Sequence, residues 1–186
     1  MKEIIRCSWC EKDDLYRKYH DEEWGKPVYD DETIFEFLVL ESFQAGLSWY
    51  IILKKRENFK KAFDQFNYKK IAKYSEEKVE TLMQNEGIIR NRLKILATIN
   101  NAQKFQEIQK EFGSFSKYIW GFVNHQPIIN FPKNLKEVPA TTEISDQLSK
   151  DLKKRGFKFL GSTVVYAFMQ ATGMVCDHLV DCHSKK

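Results

Sequence analysis

One acidic residue, Glu41, lies in a stretch of the sequence that is otherwise apolar, and it is the first candidate for chemistry. The apolar residues around it are Phe35, Leu38, Val39, Leu40 and Phe43. Their helical spacing predicts that Glu41 is drawn into the interior with them. A buried carboxylate costs free energy unless it has a partner or a ligand. Glu41 is therefore either a structural acid that bonds a neighbouring loop or the acid of a binding pocket.

Aromatic residues surround Glu41 in the sequence. Four precede it in a short N-terminal segment and one follows it: Trp9, Tyr16, Tyr19, Trp24 and Trp49. A carboxylate beside flat rings makes a pocket suited to a planar, electron-poor or cationic ligand, because the rings offer π faces and the acid offers a negative acceptor. The alternative is that these rings simply fill the core.

Cysteines and histidines near the two ends of the chain form a second group of candidates. His178 and Cys182 are four residues apart, so a helical turn would place both on one face, as two ligands of a tetrahedral Zn²⁺. Cys7 and His20 can supply the other two ligands of a closed, structural site. The rival ligands are Cys10, Cys176 and His183, and Cys7-x-x-Cys10 resembles half of a zinc ribbon. Four unrelated thiols in a reducing compartment are the remaining alternative.

A basic, glycine-bounded turn lies between two predicted helices at residues 155–163. The backbone N–H groups of Gly161, Ser162 and Thr163 can face an anion at the start of the second helix. Positive charge would come from Lys153, Lys154, Arg155 and Lys158. Because helical hairpins are common and mostly structural, this turn alone is a weak indication of a phosphate site.

Helices must position all of these residues, because every element with a clear period is α-helical. The predicted helices cover residues 14–19, 31–45, 49–63, 76–85, 88–112, 118–122, 143–155 and 164–171. Gly46 separates the second from the third, with Ser48 as N-cap. Residues 127–142 hold three of the four prolines and no helical period, which predicts a long surface loop and the best candidate for an insertion or linker.

Length and composition set broad limits on the protein. A chain of 186 residues with 42% hydrophobic content fits one domain, or two small lobes sharing a cleft. No apolar run approaches the ~18–20 residues of a membrane span. The first six residues lack the apolar core of a secretory signal, so we expect a cytoplasmic protein. The net charge of +4 does not by itself indicate nucleic acid.

Several segments, taken in chain order, carry a family resemblance. They are Cys7-x-Trp9, Tyr19-His20-Asp21-x-Glu23-Trp24-Gly25, Leu40-Glu41-x-x-Gln44-Ala45-Gly46-Leu47-Ser48-Trp49, Leu53-Lys54-Lys55-Arg56-Glu57, Gly87-Ile88-Ile89-Arg90, Phe122-Val123-Asn124, Lys153-x-x-Gly156-Phe157-Lys158-Phe159 and Asp177-His178-Leu179. Together they resemble the bacterial 3-methyladenine DNA glycosylase I family of the helix-hairpin-helix DNA glycosylase superfamily. The resemblance covers almost the whole chain. It implies an all-α fold in which residues 1–186 form one domain of two helical lobes with a cleft, and residues 143–173 form the helix-hairpin-helix.

The resemblance also implies roles for individual residues. It makes Cys7, His20, His178 and Cys182 the ligands of one structural zinc that joins the chain ends, and leaves Cys10, Cys176 and His183 outside the site. It makes Glu41 the pocket acid with Tyr19 beside it, Trp49 the ring that stacks on the base, and Trp9 and Trp24 further walls of the pocket. Gly46 and Leu47 lie where the family places a wedge into the DNA stack. The turn from Gly156 to Gly161 corresponds to the phosphate-binding hairpin, with Lys153, Lys158, Gly161, Ser162 and Thr163 at the DNA. Asp177, beside a zinc ligand, is left out of the catalytic set.

The activity that the resemblance implies is hydrolysis of the N-glycosidic bond to 3-methyladenine in alkylated double-stranded DNA, by base flipping. No lysine stands out as a Schiff-base nucleophile, so we expect a monofunctional enzyme without strand cleavage. We also expect a monomer. The alternative is a non-enzymatic helix-hairpin-helix DNA-binding protein with a structural zinc. Such a protein would keep the basic hairpin and the zinc ligands but would not need Glu41 ringed by Tyr19 and Trp49.

Overall fold

The computed structural model of the protein describes residues 4–185, and within this range nine α-helices and two short strands are present. The helices are α1 (Asp14–Glu22), α2 (Asp31–Gln44), α3 (Trp49–Ala62), α4 (Tyr68–Ile71), α5 (Glu76–Gln84), α6 (Arg92–Phe112), α7 (Phe115–Gly121), α8 (Glu143–Lys154) and α9 (Ser162–Ala171), and the strands are β1 (Ile128–Ile129) and β2 (Val175–Cys176). Single 3-10 turns occur at Ser8–Cys10, Asp64–Phe66 and Leu135–Glu137. The predicted all-α fold is confirmed in its coarser form, since the described chain is mostly helical but also contains the two short strands. Residues 1–3 and 186 of the predicted domain lie outside the described range.

Helix α2 is the centre of the fold. The carboxylate of Asp30 caps it by accepting from the backbone N–H of Thr33, and the helix packs against α3, α6, α7 and α9. Almost every residue from Ile34 to Phe43 is buried, so α2 has no polar face, as a helix surrounded by protein requires. Glu41 is carried into the interior on this helix.

Helix α6 differs from its prediction at its N-terminal end. It begins at Arg92, four residues later than expected, because the side chain of Asn91 caps it by accepting from the N–H of Lys94. Leu93 and Leu96 lie in the segment predicted as this helix, and both are exposed. The helix ends as predicted at Gly113, whose φ of 87° closes the last turn.

The segment 127–142 lies between α7 and α8 and is largely exposed, so the predicted long surface loop is confirmed, while its interpretation as an insertion or linker stays a prediction. Its strand β1 pairs in parallel with β2, so that Ile128 lies opposite Val175 and Ile129 opposite Cys176. Further along, Leu135 and Val138 contribute to the wall of a cavity described below. A two-residue strand has no readable period, which is why the sequence showed only a loop.

Helices α8 and α9 pack on each other through a connection at residues 155–161. Thr142 and Ser145 form a reciprocal capping box at the start of α8. Helix α9 begins at Ser162, slightly earlier than predicted, with Gly161 as its N-cap. Leu160 and Phe157 of the connection are buried, which fixes the turn against the core.

Across the part of the chain that the structure describes, no helix combines the length and the apolar character that crossing a membrane demands.

Candidate functional site

A cavity of about 300 Å³ contains the carboxylate of Glu41 and the predicted aromatic side chains. All the residues singled out in the sequence line it: Trp9, Tyr16, Tyr19, Trp24, Glu41 and Trp49. They come from three places in the chain: the N-terminal segment that ends at Trp24, just after α1, the C-terminal half of α2, and the first residue of α3. The structure therefore brings these sequence-predicted residues together.

Glu41 is 3% exposed, and its Oε2 has no hydrogen-bond partner among the described residues. Burial away from water raises the pKa of Glu41 to about 8. The structural alternative for this acid, a bond to a neighbouring loop, is not found within residues 4–185. An unpaired buried carboxylate is the kind of group that a ligand donor satisfies.

The rings in the cavity contact one another edge to face or at tilted angles. Tyr19 and Trp49 have ring centroids 5.3 Å apart, and Trp9 and Trp24 have centroids 5.0 Å apart. Burial raises the pKa of Tyr19 well above its ordinary value, so its hydroxyl stays protonated and can donate. The Nε1 of Trp49 is a second buried polar atom without a partner in the described chain. The cavity thus offers an acceptor, two donors and flat apolar faces to a planar ligand.

Sequence reasoning did not identify several lining residues. They are Gln44, Leu135, Val138, Ala167, Gln170 and Asp177. Asp177 differs from Glu41 because both its carboxylate oxygens are satisfied. Its Oδ2 accepts from the hydroxyl of Tyr166 at 2.6 Å and the amide of Gln170 at 2.8 Å, and its Oδ1 accepts from Asn130 at 2.8 Å. Ala167 and Gln170 are three residues apart on α9, a spacing that could have placed them on one face, whereas no local signal marked residues 135–138.

The four predicted metal ligands meet at one buried point. Cys7, His20, His178 and Cys182 each offer a ligand atom, and these atoms lie within 4.8 Å of one another. The Nδ1 of His178 is 3.2 Å from the Nε2 of His20, and the Sγ of Cys182 is 3.4 Å from that Nε2. This arrangement can hold a metal ion.

The rival ligands lie elsewhere. Cys10 donates its thiol to the backbone carbonyl of Cys7 at 3.1 Å, and Cys176 lies in strand β2. His183 hydrogen-bonds to Asp21, which also accepts from His20. His183 therefore belongs to the outer surroundings of the cluster.

The metal-ligand cluster adjoins the aromatic cavity. The ring of Trp24 is 4.7 Å from that of His178, and the ring of Trp9 is 5.3 Å from that of His20. Gly25, which follows Trp24, has a φ of +76°, and a Cβ at this position would approach Nε2 of His178 to 3.0 Å. Glycine is therefore required for the chain to pass this close to the cluster.

Two exposed regions correspond to the predicted DNA-contacting residues. Gly46 and Leu47 form the exposed loop between α2 and α3, where Gly46 has a φ of +84° and open space around it. On the other helix pair, Lys153, Lys158 and Gly161 border one surface depression, which Phe159 also lines. Thr163 is exposed in the first turn of α9.

One of the four basic side chains predicted at the hairpin, Arg155, is neutralised by ion pairs within the protein. Arg155 pairs with Glu111 and Asp151 at 2.7 Å each, so it is not a free cation at the hairpin as expected. The hydroxyl of Ser162 bonds Ser145 at 2.8 Å and also contacts Asp146, which leaves its backbone N–H as the group available there. The prediction for Arg155 is therefore wrong.

The fold and the cavity define a class: a helical protein with a cavity, lined by aromatic rings and a buried acid, that can accept a flat ligand. Comparisons with known proteins narrow this class. Residues 9–185 match the methyladenine glycosylase family. A DNA-3-methyladenine glycosylase of Haemophilus influenzae is 51% identical over 180 residues, which is 97% of each chain.

Solved structures agree with this assignment. A crystal structure of 3-methyladenine DNA glycosylase I is 49% identical and superposes with a TM-score of 0.94, covering 96% of this chain and 98% of that one. A variant of 3-methyladenine DNA glycosylase I in complex with 3-methyladenine is 40% identical, with a TM-score of 0.94 and 97% of each chain covered. The chain belongs to the methyladenine glycosylase family.

Proposed function

We propose that this protein is a monofunctional DNA repair glycosylase that hydrolyses the N-glycosidic bond of 3-methyladenine in alkylated double-stranded DNA. The observation that carries the proposal is the unpaired, buried Glu41 inside an aromatic cavity, in a chain of the methyladenine glycosylase family. A non-enzymatic DNA-binding protein would have no use for this cavity. Both the cavity and the family assignment therefore favour the enzyme over the DNA-binding alternative.

Recognition of the base would use the unsatisfied groups of the cavity. Glu41 accepts hydrogen bonds from the base edge, Tyr19 donates one, and Trp49 stacks on the flat face. Stacking of a base on an aromatic side chain contributes ~1–3 kcal/mol. Trp9 and Trp24 close the sides of the cavity. Burial keeps Glu41 largely protonated while the cavity is empty, but a cationic base beside it lowers its pKa and favours the carboxylate. The rings also favour positive charge, so the alkylated base is selected over normal adenine.

The chemistry needs little acid catalysis. The alkylated nucleoside is cationic, so when its C1′–N9 bond breaks the bonding electrons neutralise the base, which leaves without taking up a proton. Water adds to C1′ and loses a proton, which yields an abasic sugar. The protein must mainly extract the base and hold it, and a damaged base is flipped at a lower cost than a sound one.

Extraction of the base would use the two exposed regions. Leu47, presented by Gly46, enters the base stack as a wedge. Residues 143–173 act as the helix-hairpin-helix, in which the backbone N–H groups of Gly161, Ser162 and Thr163 bind phosphate at the start of α9. Lys153 and Lys158 add charge beside this point. Lys153, Lys158 and Gly161 line the same surface depression, which supports a phosphate-binding role for the hairpin.

The cysteine and histidine cluster would hold one structural Zn²⁺. The carbonyl of Trp24 and the carboxylate of Asp21 can only accept, so Nε2 of His178 and Nδ1 of His20 carry the hydrogens. The two unprotonated nitrogens then face each other 3.2 Å apart, which is unfavourable unless a cation lies between them. Bound zinc would tie the two ends of the chain together.

The spacing of the donor atoms supports zinc. Tetrahedral coordination with Zn–S of ~2.3 Å and Zn–N of ~2.0 Å sets nitrogens ~3.3 Å apart and sulfur and nitrogen ~3.5 Å apart. The Nδ1 of His178 lies 3.5 Å from Sγ of Cys182 and 3.7 Å from Sγ of Cys7. A backbone N–H from Leu179 also approaches the Cys7 sulfur at 3.4 Å, which suits a thiolate. With four protein ligands the site leaves no open position for an activated water.

A strand-scission assay tests the activity. Duplex DNA containing 3-methyladenine is incubated with the protein and divided in two, and one half is treated with alkali. We expect strand breaks only after alkali, because a monofunctional enzyme leaves an intact strand with an abasic site. Breaks before alkali would contradict monofunctionality, and no breaks in either half would contradict glycosylase activity. The monomeric state and the cytoplasmic location expected from the sequence stay predictions.

A further inference from the structure

Helix α6 carries a buried polar stripe that the proposed recognition of the base does not use. Lys94, Thr98 and Asn101 follow one face of the helix at spacings of four and three residues, and they are 6%, 2% and 1% exposed. Burying an ammonium and an amide is costly unless their hydrogen bonds are made. The partners of these groups are therefore informative.

Lys94 binds the end of the central helix. Its Nζ donates to the backbone carbonyls of Phe43 at 2.8 Å and Ala45 at 2.7 Å. These carbonyls belong to the last turn of α2 and to its C-cap, where backbone acceptors lack helical partners. A cation at a helix C-terminus is also electrostatically favourable. Lys94 thus anchors the chain directly before Gly46 and Leu47.

Asn101 binds the hairpin connection in a paired arrangement. Its Nδ2 donates to the carbonyl of Lys158 at 2.9 Å, and its Oδ1 accepts from the N–H of the same residue at 2.9 Å. The neighbouring Asn100 donates to the carbonyl of Gly156 at 2.8 Å. A side-chain amide that satisfies both backbone groups of one residue fixes its position and its orientation.

The two anchors are seven residues apart on one rigid helix. Two turns of α-helix separate them by ~10 Å along the axis. We infer that the stripe on α6 sets the distance and register between the loop carrying Leu47 and the hairpin carrying Lys158, so that both engage one DNA duplex together. Lys94 and Asn101 are positioning residues in this inference, which rests on the proposed function of the two loops. An apolar side chain could fill the same space but could not hold backbone groups in a fixed direction.

Thr98 supplies a matched control. Its hydroxyl donates only within the helix, to the carbonyl of Lys94 at 2.9 Å. Thr98→Val therefore removes a buried hydrogen bond from the same stripe without releasing either loop. Lys94→Met and Asn101→Leu remove the anchors and keep a side chain of similar size.

Four quantities are to be measured on the wild type and the three variants, well below the melting temperature of each. They are binding of free 3-methyladenine by tryptophan fluorescence, binding of undamaged duplex by anisotropy, the salt dependence of that binding, and single-turnover release of the base. For Lys94→Met we expect release at least ~10-fold slower, because a small misplacement of a positioned group costs up to ~100-fold. Its affinity for undamaged duplex and for the free base should stay within about threefold.

For Asn101→Leu we expect weaker binding to undamaged duplex and a log–log salt slope that is smaller by ~1, because a phosphate contact at the hairpin is lost. Its affinity for the free base should not change, and Thr98→Val should match the wild type in all four measurements. The inference would be overturned if Lys94→Met released the base at the wild-type rate and Asn101→Leu bound undamaged duplex with the wild-type affinity and salt slope. An equal loss of free-base affinity in both variants would also overturn it, since that would indicate general damage. A wild type that releases no base would overturn the proposed function instead, and duplex binding by Asn101→Leu would still decide for or against the role of the stripe.

Discussion

The imidazole of His178 and the backbone carbonyl of Trp24 are joined by a hydrogen bond in which Nε2 donates across 3.1 Å. This bond links the metal-ligand cluster to a wall of the aromatic cavity, because the ring of Trp24 lines the cavity. The ring of Trp9 is 5.0 Å from that of Trp24 and continues the same wall. The two sites that the sequence suggested separately are therefore structurally connected.

Loss of the metal should destabilise the fold. A bound metal closes a loop between Cys7 and Cys182, and the cross-link estimate for so long a loop is ~4–5 kcal/mol at most, less any affinity of the unfolded chain for metal. For a chain of this size that corresponds to a melting temperature lower by roughly 10 °C. We expect Cys182→Ser to lose both the metal and this stability, which metal analysis and thermal melts would measure.

Cys10→Ser and Cys176→Ser are matched controls for this variant. Both residues are buried thiols outside the cluster, so both variants should retain one zinc per chain. A zinc-replete Cys182→Ser protein would rule out the assigned ligands. A metal-free protein that stays folded and binds the base normally, yet cannot release it from DNA, would indicate a catalytic metal.

The stability of the protein should depend on pH through Glu41. Burial raises the pKa of Glu41 in the folded protein to about 8, whereas a glutamate in an unfolded chain titrates near ~4.3. Between these values the folded protein holds a proton that the unfolded chain has released, so this contribution to the free energy of unfolding falls as pH rises from about 4 to about 8. At ~1.4 kcal/mol per pKa unit, the loss is at most ~5 kcal/mol.

Glu41→Gln tests this dependence because glutamine is neutral at every pH and has nearly the same shape. Urea denaturation of both proteins at pH 5 and pH 8 would compare their free energies of unfolding. We expect similar stabilities at pH 5 and a more stable variant at pH 8. A difference between the two proteins that does not change with pH would show that Glu41 has an ordinary pKa.

Trp49→Ala should reduce recognition of the base and leave binding to undamaged DNA almost unchanged. Stacking worth ~1–3 kcal/mol corresponds to a loss of roughly fivefold to 150-fold in affinity for free 3-methyladenine. Fluorescence titration and duplex anisotropy would measure the two affinities. Phe131→Ala is a control, since this ring is 69% exposed and does not line the cavity. Equal effects on base and duplex would contradict the assignment of Trp49 to the base.

Charge removal at the hairpin should change the salt dependence of DNA binding. For Lys153→Gln and Lys158→Gln we expect the log–log slope to fall by ~1 for each lost phosphate contact. Lys110→Gln, which removes an exposed charge near the end of α6, should leave the slope unchanged. A wild-type slope in both hairpin variants would show that the hairpin does not face the DNA.

The central helix and the groupings of site residues could be predicted because their signals are local. Glu41 stands out in α2 since a carboxylate is improbable within an apolar helical face. The spacing of His178 and Cys182 and the aromatic density before residue 25 are also visible in the sequence alone. The choice of Cys7 over Cys10 as a ligand followed from the family resemblance, because spacing left both open.

The features that were missed depend on distant contacts. In α6 two leucines, Leu93 and Leu96, are exposed, whereas the polar residues Lys94 and Asn101 are buried. Hydropathy could not indicate this, because the partners of Lys94 and Asn101 are backbone carbonyls of α2 and the hairpin, far away in the sequence. Strand β1 exists only because β2 lies beside it. Arg155 was read as a free cation, since its partner Glu111 is 44 residues away in the sequence.

The most direct test of the central claim is the release of free base from methylated duplex DNA, with the soluble products separated by chromatography. We predict that the wild type releases 3-methyladenine and leaves unmodified adenine in the DNA. Glu41→Gln should release the same base far more slowly while binding undamaged duplex like the wild type. No released 3-methyladenine from the wild type, or equal rates for the wild type and Glu41→Gln, would contradict the account.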